Sequence, residues 1–123
     1  MWKKVNGELI HTTDETRVKF RTNISKSILD QLEKIALEND TYVNYLIESG
    51  LRNVLSAGTI TFDKKNRPKD RVQFKTTYDE NLLEKVKEFS KEHKLFINDV
   101  IEYSTNFIDV TNIKDRSYRY RVE

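Results

Sequence analysis

The sequence predicts a mainly α-helical protein with short β-strands, in which one chain supplies a strand and two helices twice over. Three observations predict it. The chain repeats itself at a single offset, and each copy reads strand, helix, helix. Within the copies, apolar residues keep the period of half-buried strands and then of amphipathic helices.

The repeat is strong and gapless. RVKFRTNISKSILDQLEKIALENDTYVNYLIESGL lies over RVQFKTTYDENLLEKVKEFSKEHKLFINDVIEYST at an offset of 54 residues. Arg17, Val18, Phe20 and Thr22 recur as Arg71, Val72, Phe74 and Thr76, and Leu29, Glu38, Asn44, Ile47 and Glu48 recur as Leu83, Glu92, Asn98, Ile101 and Glu102. Two copies are too few for a solenoid, so two units that complete one another are expected. The boundaries are an N-terminal extension at 1–16, unit one at 17–55, a linker at 56–70, unit two at 71–109 and a basic, aromatic tail at 110–123.

Each unit opens on a strand. Val18, Phe20, Thr22 and Ile24 alternate with Lys19, Arg21 and Asn23, as Val72, Phe74, Thr76 and Tyr78 do with Gln73, Lys75 and Thr77. Ser25 and Asp79 align as N-caps, and behind them Ile28, Leu29, Leu32, Ile35 and Ala36, or Leu82, Leu83, Val86, Phe89 and Ser90, form the stripe of a first helix. The periodicity breaks at Asn39–Asp40 and His93–Lys94. A second helix then shows Tyr42, Val43, Leu46, Ile47, Gly50, Leu51 and Val54, matched by Phe96, Ile97, Val100, Ile101, Ser104 and Ile108. Thr41 or Asp40 is the expected cap in the first copy, while Lys94 and Leu95 supply none in the second. Gly50 and Ser104 align and are small, so the second helices are expected to cross closely there. The linker carries Pro68, the only proline, and a short extended piece is read at Thr59–Phe62.

Composition limits the function classes. Charged residues make up 34% of the 123 residues, and no apolar run approaches the roughly 18 needed to span a bilayer. Cysteine is absent, so disulfides and thiolate metal sites are excluded and a reducing, cytoplasmic setting is expected. The first residues lack the apolar stretch of a signal peptide. Net charge is only +2, yet six basic residues and one acidic lie between Lys64 and Lys75, and four basic and one acidic between Lys114 and Arg121. Such segregation suits a polyanion, and plain solvation is the competing reading. No catalytic constellation is present. His11 and His93 stand singly, and Asp79–Glu80 falls where a helix dipole explains it. Neither an enzyme, a metal nor a cofactor is expected.

Strand, capped helix, turn and helix in about 40 residues resembles the ribbon-helix-helix family of Arc- and Met-type repressors. Val18 to Ser25 with Ile28 to Ala36 carries the resemblance, which covers roughly 17–55 and 71–109. The turn between the helices departs from the family, whose members often carry glycine and a serine cap there. The resemblance implies a fold that is mainly α with a short antiparallel β-ribbon, a tandem ribbon-helix-helix forming an intramolecular pseudo-dimer, monomeric in solution, with pairs of molecules meeting on double-stranded DNA. It implies transcription regulation, as by a repressor, on the nucleoid. The outward strand residues Lys19, Arg21, Asn23, Gln73, Lys75 and Thr77 would then read bases in the major groove. Arg17 and Arg71, with Asn44 and Asn98 near the second-helix starts and Arg119 and Arg121 in the tail, are assigned to phosphates. For the strands a solvated polar face is the competing reading, and for the asparagines a plain helix-end role. A protein-interaction module, adaptor or antitoxin-like, is the functional alternative.

Extra β segments are expected at both ends. Asn6-Gly7 is a hairpin turn signal between Trp2–Val5 and Glu8–His11. Ser117 to Val122 alternates tyrosine with arginine, as a phosphate-facing strand or as an edge strand or tail.

Overall fold

The computed structural model describes residues 2–5, 8–11 and 17–110. Their fold is mainly helical, with four α-helices and a two-stranded antiparallel ribbon. A separate hairpin pairs β1 (Trp2–Val5) with β2 (Glu8–His11), with Val5 opposite Glu8. The turn expected at residues 6 and 7, and the alternating tail with Arg119 and Arg121, lie outside the described residues.

The ribbon joins β3 (Arg17–Ser25) to β4 (Arg71–Asp79). Its register centres on Arg21 opposite Lys75, with Asn23 opposite Gln73 and Lys19 opposite Thr77. At the 54-residue offset the central Arg21–Lys75 pair maps onto itself and every other pair onto its counterpart across the centre. Period-two alternation turns Phe20, Ile24, Phe74 and Tyr78 inward, and Ile24 and Tyr78 are fully buried.

α1 (Lys26–Glu38) and α3 (Glu80–Glu92) start where expected. The Ser25 hydroxyl accepts from the Ile28 N–H, and the Asp79 carboxylate accepts from that of Leu82. Both helices end alike. Asp40 and Lys94 take the left-handed conformation, each at φ 56°, and the N–H groups of Thr41 and Leu95 reach back to the carbonyls of Ala36 and Ser90. That six-residue closure does the work that glycine does more cheaply elsewhere.

This ending corrects the expected caps. Asp40 closes α1 instead of opening α2, and α2 (Val43–Ala57) and α4 (Ile97–Ser104) begin after Tyr42 and Phe96, without a side-chain cap from either. In the second copy the Asp99 carboxylate reaches back to the Phe96 N–H at 3.0 Å. Tyr42 and Phe96, expected on the apolar face, are 60% and 61% exposed. They precede the helices in extended backbone, so their side chains fall outside the helical stripe.

α2 crosses α4 at Gly50. A methyl group there would collide with the backbone carbonyl oxygen of Ser104, which is why the close crossing needs a residue without Cβ. α4 is much shorter than α2. After Ser104 the chain tightens into a 3₁₀ turn at Thr105–Phe107 and folds back on α2, where Asn53 donates to the Phe107 carbonyl at 2.6 Å. Ile108, expected to extend the α4 stripe, is therefore beyond the helix and half-buried against the core.

α2 closes on Gly58 at φ 74°. Thr59–Phe62, expected as a short extended piece, joins neither sheet, and α2 and α4 lie along the ribbon edges. A 3₁₀ turn at Lys64–Asn66, capped by Asp63, follows instead. One apolar core draws on both copies, with Leu32, Leu46, Ile47 and Leu51 meeting Val86, Val100 and Ile101. No helix among the described residues is long and apolar enough to cross a membrane.

Candidate nucleic-acid interface

The ribbon has one covered face and one open face. Lys19, Arg21, Asn23, Gln73 and Lys75 are exposed on the open face, as alternation dictates. Thr77 departs from the expected set: it is half-buried, and its hydroxyl accepts from Arg17 Nε at 3.4 Å. Arg21 and Lys75 face each other directly, and neither they nor Lys19 pairs with a carboxylate among the described residues. Unscreened like charges across an antiparallel pair are destabilising. The open face is thus a compact set of donors with a positive centre.

Of the arginines assigned to phosphates, Arg17 and Arg71 are ion-paired within the fold. Arg17 holds Glu48 with two hydrogen bonds, Nη2 to Oε2 at 3.0 Å and Nη1 to Oε1 at 3.4 Å, and its guanidinium lies 5.3 Å from the Tyr45 ring centre. Arg71 binds Glu102, and its Nη2 reaches Asp99 at 2.8 Å. Each strand begins beside the second helix of its own copy, which brings a carboxylate within reach of the guanidinium. A buried carboxylate needs a charged partner, so the guanidinium groups are occupied.

Glu48 and Glu102 also clamp the ribbon edges. Glu48 accepts from the Asp79 N–H at 2.7 Å, and Glu102 from the Ser25 N–H at 2.8 Å. The side-chain amide of Asn44 donates to the Thr77 carbonyl at 3.0 Å, and that of Asn98 to the Asn23 carbonyl at 3.1 Å. Donors and acceptors of both edges, which would otherwise need water, are satisfied by helices of the opposite copy. The side chains of Asn44 and Asn98 are therefore anchors. At the starts of α2 and α4 the N–H groups of Val43, Asn44, Ile97 and Asn98 have no carbonyl one turn earlier in their own helix, which leaves them able to hold a phosphate beside the ribbon. Tyr42 and Phe96 flank those turns in the open.

Three contributing residues escaped the sequence reading. Glu48 and Glu102 carried a signal, since both are identical in the repeat and sit within an apolar helix stretch. Asp99 carried none, because its counterpart is Tyr45. Burial would raise the Asp99 pKa, but hydrogen bonds from Arg67 and Arg71 outweigh it and hold the carboxyl below its ordinary range. The Tyr78 hydroxyl is buried without a partner in the structure, and burial, then the nearby Glu48 charge, pushes its ionisation well above the usual tyrosine range.

No family model matches this chain, and no curated protein or solved structure matches it.

Proposed function

We propose that the protein binds double-stranded DNA sequence-selectively and regulates transcription, its two units forming a tandem ribbon-helix-helix pseudo-dimer whose ribbon enters the major groove. The observation that carries this reading is the open ribbon face, where Arg21 and Lys75 oppose each other among Lys19, Asn23 and Gln73. A strand pair facing only water gains nothing from that arrangement, whereas the negative potential of a groove relieves the repulsion. Arginine and lysine match guanine O6 and N7, and asparagine and glutamine match adenine N6 and N7. Asn44 and Asn98 fix the first turns of α2 and α4 beside the ribbon, where backbone N–H groups meet phosphates. The symmetric register supports the pseudo-dimer, as do edge clamps that always cross from one copy to the other.

Because Gln73 and Thr77 stand where Lys19 and Asn23 do at the 54-residue offset, the two strands read different bases and the preferred site is not a palindrome. Two molecules on neighbouring half-sites would lie about one helical turn apart. Selection of bound fragments from random double-stranded DNA, read by sequencing, tests the reading. An asymmetric motif rising over the input is the expected result, and a flat profile would overturn it. A protein-docking role would then lead, marked by binding that responds weakly to salt.

A further inference from the structure

The two repeats differ in what leads into their strands. Asp14 and Glu15 precede the first, at the positions where Pro68 and Lys69 precede the second, and Lys64 and Lys65 stand where Ile10 and His11 do. Cations thus accumulate before one strand only.

The structure holds this linker in place at two points. Arg67 donates to both oxygens of the buried Asp99 carboxylate, from Nε at 3.0 Å and Nη2 at 2.8 Å, and its guanidinium lies 4.7 Å from the Phe96 ring centre. That contact fixes the linker to the start of α4. Asp70 fixes it to the start of α1, accepting from the Ser27 N–H at 3.0 Å and hydroxyl at 2.6 Å, while its carbonyl accepts from the Lys26 N–H at 2.9 Å. Those Ser27 bonds hold the Asp70 carboxyl at about 2. An open cleft of about 610 Å³ runs between the two points, lined by Lys65, Asn66, Arg67 and Lys69 with Ser27 and Asp70. Lys64, Lys65 and Lys69 are exposed, and their ammonium groups form no ion pair with a described carboxylate. α4 itself is tied to the ribbon through Asn98 and Asn23, and the Ser25–Arg71 pair closes that end of the ribbon. The cations are therefore anchored beside one end of the open face.

We infer that the linker is a one-sided clamp on the DNA backbone, with Lys64, Lys65 and Lys69 gripping phosphates that flank the ribbon on the α4 side. The different base contacts of the two strands set which way round the ribbon lies, and these cations add backbone affinity on one flank of it. Arg67 is the positioning residue, already neutralised by Asp99. This inference rests on the DNA-binding reading above.

The test compares the full chain with its Lys64→Gln/Lys65→Gln/Lys69→Gln variant on the selected DNA, by salt titration and hydroxyl-radical footprinting. The slope of log affinity against log salt should fall by about 2–3 in magnitude, at about 0.9 per phosphate contact. Protection should disappear from one flank while the base preference stays. An unchanged slope and footprint, equal loss on both flanks, or an altered base preference would each overturn the clamp while leaving DNA binding intact. If the unmodified protein shows no salt-dependent DNA binding, the clamp falls together with the reading it rests on.

Discussion

Replacing Glu48 by alanine should lower folding stability by about 3–5 kcal/mol, the range for removing one member of a buried ion pair. Glu48 is 1% exposed and serves two partners from different parts of the fold, the Arg17 guanidinium and the Asp79 N–H. Alanine would strand both: a cation only 18% exposed, and a ribbon-edge donor that water reaches poorly. Domains of this size hold roughly 5–15 kcal/mol in total, so the loss would be visible as a marked fall in the urea midpoint by circular dichroism. Glu48→Gln should lose less, because its side-chain oxygen can still accept from Asp79. Arg17→Ala should likewise destabilise the fold even without DNA. Unfolding of Glu48→Ala within about 0.5 kcal/mol of the parent, the spread of ordinary surface substitutions, would show that the carboxylate does not hold helix to ribbon.

A fragment ending at Gly58 should not survive as a folded monomer. It retains α1 and α2, yet α2 is covered by α3, α4 and β4, all of them absent from the fragment. Ile24, Leu46, Ile47, Leu51 and Val54, now buried, would face water, at about 1.5–3 kcal/mol for each side chain fully uncovered. The Thr77 and Asp79 groups that Asn44 and Glu48 satisfy would be missing as well. The fragment should unfold when dilute or pair with a second copy, placing Arg21 opposite Arg21. Sedimentation and circular dichroism at several concentrations separate these outcomes, and a folded monomer at every concentration would refute a shared core.

Strands, first helices and their ends were legible because local rules govern them. Ser25 and Asp79 cap as their chemistry dictates, and Gly50 and Ser104 meet as their small size implies. Symmetry alone left the ribbon register open, since any antiparallel pairing of the two copies makes them equivalent, and the structure centres it on Arg21 opposite Lys75. What was not legible lies in long-range partnerships. Arg17 and Arg71 look like phosphate ligands until Glu48 and Glu102 arrive beside them, each 31 residues away along the chain. The short extended piece read at Thr59–Phe62 joins neither sheet of the structure. The short α4 reflects the return of the chain over α2, which no propensity encodes. Within the candidate site, the open-face residues other than Thr77 were legible from alternation alone, whereas the clamps behind them were not.

The central claim, that the open ribbon face reads DNA, is tested most directly by titrating selected and unrelated duplexes with the parent protein and its Arg21→Ala/Lys75→Ala variant. Removing two like charges that face each other should leave stability unchanged or slightly higher. Specific binding should weaken by about 1–3 kcal/mol for each cation removed, with preference relaxed at the bases they contact. Unrelated duplexes should lose much less. If the double variant binds every duplex as the parent does, the ribbon does not read DNA.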